Sequence, residues 1–189
     1  MTSTSSNRRR QLLWIAAAVL AVVIGGGLWA FQPWRLFTSS TVNEELPAAT
    51  APPPPADGGA DRAEGEDSRA EDAAPEPRVL AEGEFVSQEH ETSGTAKVVE
   101  LADGRRVVRL ENLASSDGPD LKVWLTDQEA GGDWYKYDDG TYVALGALKG
   151  THGNANYEIP AGADIEDMTS VVIWCERFSV AFGSAPVAL

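Results

Sequence analysis

Two patterns of hydrophobic positions divide this chain. From Gln11 to Trp34 no side chain is charged and nearly all are apolar. At about 1.5 Å of rise per helical residue, those 24 positions reach roughly 36 Å, enough to cross a hydrocarbon core of about 30 Å. Arg8, Arg9 and Arg10 precede the run and Arg35 follows it, a bias that keeps residues 1–10 in the cytoplasm. Trp14 lies near one end of the run and Trp29, Phe31 and Trp34 near the other, where aromatic rings prefer the membrane interface. The pattern predicts one transmembrane anchor over 11–34, with the C-terminal part of the chain extracytoplasmic at the cell membrane. A cleaved signal peptide is the rival reading. Its apolar region is typically about 7–15 residues, shorter than this one, and Leu28-Trp29-Ala30 puts a bulky ring where a cleavage site wants small residues.

The second pattern is alternation, and it starts near Gly83. Thr95–Leu101 and Arg106–Leu113 read as strands, and Asp103-Gly104 between them is a strong hairpin signal. Leu121–Leu125 follows a Gly118-Pro119-Asp120 turn. Tyr142–Leu148 and Asn156–Ile159 are shorter candidates, and Val171–Phe182 is expected to be one long final strand. No stretch keeps a helical period with caps. The fold class expected for 83–189 is all-β, a β-sandwich with Greek-key or jelly-roll wiring.

Composition changes between the two. Residues 35–82 hold Pro52-Pro53-Pro54-Pro55 among Ala, Gly, Asp and Glu, and 11 of the positions from Thr38 to Glu82 are acidic against 3 basic. Such a segment cannot bury enough apolar surface to offset the entropy of ordering, so a disordered linker is expected, extended by its prolines and like charges. The net charge of the chain is −14, and 83–189 carries 18 acidic residues against 8 basic. That balance argues against nucleic acid and anionic lipid surfaces as partners of the domain.

The chain has one cysteine, Cys175, within Val171-Val-Ile-Trp-Cys-Glu-Arg-Phe-Ser-Val-Ala-Phe-Gly183. An unpaired cysteine outside the cytosol is buried and inert, bonded to another molecule, or free to react. Alternation places Val171, Ile173 and Cys175 on one strand face and Val172 and Trp174 on the other. A regular strand would also bring Arg177 to the thiol's side, where its charge would favour thiolate. His90 opens a His-Glu-Thr-Ser-Gly segment, and His152 lies in a glycine-rich loop. Taken with Cys175 they contain ligand types suited to copper, but the His and Met of blue-copper loops do not follow the cysteine. No cofactor is therefore expected, with copper as the alternative. Trp134-Tyr-Lys-Tyr137 is either partly exposed or packed over a sandwich edge. No CxxC, phosphate-binding glycine loop or Ser-His-Asp signature is present, which argues against a hydrolase.

Seven pieces in register carry a family resemblance: Gly83-Glu-Phe85, His90-Glu-Thr-Ser-Gly-Thr-Ala96, Leu110-Glu-Asn-Leu113, Gly118-Pro-Asp-Leu-Lys-Val-Trp-Leu125, Leu145-Gly-Ala-Leu-Lys-Gly150, Gly153-Asn-Ala-Asn-Tyr-Glu-Ile-Pro160 and Val171–Gly183. With them the domain resembles the DM-thirteen family, the "electron transfer" DM domain of membrane-anchored bacterial proteins and animal cell-surface proteins. The resemblance implies a small β-sandwich with a redox role. It implies Cys175 as the redox group, with His90 and Asp120 as supporting polar residues. The predicted membrane helix has no His to ligate a haem, so the implied electron donor or acceptor is a partner protein. The alternative is a non-catalytic surface-binding module for carbohydrate or protein, in which Cys175 is structural.

Overall fold

The structure is a computed structural model that describes residues 4–32, 34, 38–47 and 76–189. The middle of the expected linker, 48–75, lies outside the described residues. The chain begins with helix α1 (Thr4–Phe31). Its segment Arg9–Phe31 has a mean hydropathy of 2.3 and is long and apolar enough to cross a membrane, near the N-terminus as an anchor or a signal sequence would be. Leu13, Val19, Val22 and Ile24 point outward on different sides and are all exposed. An apolar surface on every side suits lipid and not the half-buried helix of a globular domain.

Among the described residues, ten strands follow: β1 (Thr41–Asn43), β2 (Arg78–Glu84), β3 (Val86–Ser87), β4 (Ser93–Glu100), β5 (Arg106–Ala114), β6 (Leu121–Thr126), β7 (Tyr142–Ala147), β8 (His152–Ile159), β9 (Ser170–Cys175) and β10 (Val180–Pro186). They form two five-stranded sheets, in the orders β1-β8-β5-β4-β2 and β3-β10-β9-β6-β7. Every pairing is antiparallel except β1 with β8. The chain changes sheet between β2 and β3, β3 and β4, β5 and β6, β7 and β8, and β8 and β9. This is the expected all-β sandwich.

The core lies between the sheets. Val98, Val108, Leu110 and Tyr157 from the first sheet meet Val123, Leu125, Val171, Ile173, Cys175 and Phe182 from the second. Both outer faces also carry cover. Leu46 packs on Val99, Leu101 and Val107 behind the first sheet. Behind the second, Tyr137 lies over Trp124, Val172, Trp174 and Ala181.

Three expectations change. The long final strand is a hairpin: the backbone turns at 176–179, where Phe178 N donates to Cys175 O at 3.3 Å and Ser179 sits at φ 48°. The polar Glu176-Arg177 pair and a left-handed residue break what an apolar count reads as continuous. The expected linker range is also occupied at both ends. Residues 41–43 pair with β8, and 78–82 belong to the edge strand β2, whose Ala, Gly and Glu residues hide the alternation. Pairing is made possible by side chains distant in sequence. Glu44 accepts the amide of Asn156 at 2.8 Å and the Lys149 ammonium at 2.9 Å.

Those bonds hold the Glu44 carboxyl below its ordinary value of 4.5, the Asn156 amide contributing most and Lys149 next. A depressed carboxylate adds stability above its ordinary value, and that stability is lost as pH falls through its folded value. Amide protection at Glu44 and His152, which bond to Asn154 O and Ser40 O, should therefore drop below pH 4.5. Glu44→Gln should lower it by about 0.5–1.5 kcal/mol at neutral pH, a modest value because the carboxylate is partly solvated. Protection unchanged by the substitution would mean that β1 does not depend on this carboxylate.

Gly83 lets β2 of the first sheet pass against the backbone of Pro186 in β10, with no room for a Cβ. Gly83→Ala should destabilise the domain by about 1–3 kcal/mol through overpacking, measured as a lower urea midpoint.

Candidate functional site

Cys175 is the last residue of β9, opposite Leu121 of β6 and Val180 of β10. Its relative exposure is 0 %, and it joins Val171 and Ile173 on the core face as alternation predicts. The next four residues are exposed, so the thiol is sealed yet lies directly beneath the surface turn. Burial raises its pKa above the ordinary 9.0. The backbone amides of Phe178, Arg177 and Asp120 oppose that rise, and the negative charge of Glu89 adds to it. The neutral thiol is the resting form because desolvation is the largest of these effects.

Arg177 does not serve the thiol through its side chain. Its Nη1 donates to the Ala30 carbonyl at 2.8 Å, and Phe178 stacks on Phe31 with centroids 5.9 Å apart. Ala30 is in the last turn of α1, where carbonyls lack intrahelical donors, so Arg177 caps the helix from 147 positions away. The turn that covers Cys175 therefore sits at the end of the apolar helix.

Asp120 reaches Cys175 through its main chain. Its carbonyl accepts Glu176 N, the amide that follows the cysteine, at 3.0 Å. Its carboxylate turns away to Lys122 Nζ at 2.8 Å. His90 lies with its ring 4.0 Å from that of Phe182, a core neighbour of the thiol, and its Nε2 is 3.8 Å from Glu89. These contacts bring His90 to the same end of the sandwich. His152 lies on β8 with Nδ1 3.0 Å from Thr151 Oγ1. Among the described residues, no group of three or more His, Cys, Asp or Glu side chains converges as a metal-holding set.

Beside this end is an open cavity of about 500 Å³, lined by Thr38, Ser40, Asp117, Asp120, Leu121 and Thr151 among others. Thr38 and Ser40 come from the segment expected to be linker. No local pattern marks them, because their position depends on the distant pairing of β1 with β8. Of the aromatic candidates, Tyr137 is fully buried behind the second sheet, whereas Trp134 and Tyr135 are 39 % and 60 % exposed.

A two-sheet domain with one sealed thiol at the end of its central strand defines the class. Residues 84–187 match the family described as Electron transfer DM13, and the chain belongs to that family. No curated protein and no solved structure gives a match.

If the sulfur fills core space, Cys175→Ala should cost about 0.5–1.5 kcal/mol, comparable with other small buried deletions. The fold should survive with an unchanged denaturant slope. A variant as stable as the parent would place the sulfur outside the packed core.

Proposed function

We propose that this chain is a membrane-anchored electron-transfer domain working outside the cytosol, with Cys175 as its redox group. The family description supports the general redox role. The observation that carries the finer reading is the placement of Cys175, sealed at the end of β9 directly beneath the exposed turn at 176–179. Backbone hydrogen bonding from Phe178, Arg177 and Asp120 favours the charged sulfur against the desolvation that raises its pKa. The turn at 176–179 opens locally to admit a small oxidant or a partner thiol. With hydrogen peroxide, the sulfur takes one oxygen, the O–O bond breaks, and the thiol's proton goes to the departing oxygen, so that water leaves and a sulfenic acid remains. A partner protein's thiol then displaces water to form a mixed disulfide. His90 and Asp120 act as positioning residues for the segments around the thiol.

The second reading is a non-catalytic binding module for carbohydrate or protein. It is favoured by the complete burial of Cys175 and by the exposed rings of Trp134 and Tyr135.

Mild peroxide followed by a sulfenic-acid probe on the folded, full-length protein separates the two. The redox reading expects the probe on Cys175, reversal by dithiothreitol, and no labelling in Cys175→Ala. No labelling before the protein unfolds would favour the binding module.

A further inference from the structure

The covalent route from the apolar helix to the sandwich is short. Only residues 32–37 separate Phe31, at the end of α1, from Thr38, whose Oγ1 donates to Asp117 Oδ2 at 2.7 Å. Fully extended, that step reaches at most about 25 Å. Ser40 then fastens to Thr151, its amide donating to Oγ1 at 3.0 Å, before β1 enters the first sheet. The acidic, proline-rich residues beyond β1 leave from one edge of that sheet and return at the other, where β2 lies. A segment that starts and ends on one sandwich does not set the distance of that sandwich from α1.

A second contact, independent of this connection, closes on the same point. Arg177 Nη1 holds the Ala30 carbonyl at 2.8 Å, and the Phe178 ring stacks on Phe31. Both fastenings lie at one end of the sandwich, since Asp120, three residues after Asp117, accepts Glu176 N at 3.0 Å. Phe178 remains 42 % exposed despite the stack. Trp134, also partly exposed, holds the same hairpin through its carbonyl, which accepts Ala181 N at 2.9 Å. Trp34, exposed as well, lies just beyond the helix end. Aromatic rings gathered where an apolar helix emerges suit the interfacial layer of a bilayer. Glu89 and Glu176, exposed beside the turn, suit headgroups without net negative charge.

We propose that the turn at 176–179 docks in the zwitterionic headgroup layer of the membrane that α1 spans, with Phe178 as the inserted side chain. This rests on the membrane-anchor reading and goes beyond it. The domain lies on the bilayer with its Cys175 end down, instead of standing off on a long tether. Phe178 takes the depth of Phe31, the ring it stacks on, at the boundary where the apolar run ends. Arg177 spends its charge on the last helical turn, and Glu176 stays among the headgroups.

The test uses the full chain in phosphatidylcholine vesicles, in a Cys175→Ala background. Single cysteines introduced by Glu176→Cys, Glu166→Cys or Val22→Cys carry an NBD fluorophore. Glu166 is exposed at the opposite end, beside Arg106 at the start of β5, and β9 alone separates that end from the turn by about 17 Å. Val22 sits in the middle of α1. Phosphatidylcholine bearing a headgroup nitroxide should quench the probe at 176 several-fold more than at 166, and a mid-chain nitroxide should quench the probe at 22. Combining Arg177→Ala with Phe178→Ser should bring quenching at 176 down to the level at 166. Equal quenching at 176 and 166 in the parent background would overturn the docking, as would quenching at 176 that survives the double substitution. Near-ultraviolet circular dichroism checks each fold, and if the double variant does not fold, the comparison of 176 with 166 decides alone. Quenching at 22 without quenching at 176 would overturn the docking and leave the anchor standing, whereas no quenching at 22 would overturn both.

Discussion

The domain depends on β9 being covered on both faces. All six of its residues are buried, with the core on one side and the Tyr137 loop on the other. It pairs with β10 along one edge and β6 along the other, so its polar backbone is used up in the sheet. A strand in this position has no access to water until the chain leaves the sheet. It leaves immediately after Cys175, and that single fact sets the state of the thiol. Desolvation keeps it neutral, outweighing the backbone hydrogen bonding that opposes the rise.

Burial and redox function are compatible on this geometry. A sealed thiol is protected from the irreversible steps of the oxidation ladder, which follow exposure and thiolate character. What limits it is access, and access depends on the four exposed residues at 176–179. Those residues also meet α1 through Arg177 and Phe178, which ties the cover of the thiol to the apolar helix.

Local pattern made much of the sandwich legible. The Asp103-Gly104 hairpin and the alternation of Thr95–Leu101, Leu121–Leu125 and Val171–Cys175 each correspond to an observed strand. The split of Val171 to Cys175 and Val172 to Trp174 between two buried faces follows from period two alone. Hidden from the sequence were features that depend on distant partners. β1 reads as linker because its stabilising groups, Asn156 and Lys149, lie more than a hundred residues away. Arg177 looked like a partner for the thiol because strand spacing was extended through a turn.

The most direct test of the account is the rate at which a small thiol reagent modifies Cys175 in the full chain, measured against urea well below the unfolding midpoint. Local opening of the 176–179 turn exposes little surface, so the account predicts a rate nearly independent of urea at low concentration. A rate that rises from the first addition with the slope of global unfolding would contradict it, because the thiol would then be reached only through loss of the whole fold.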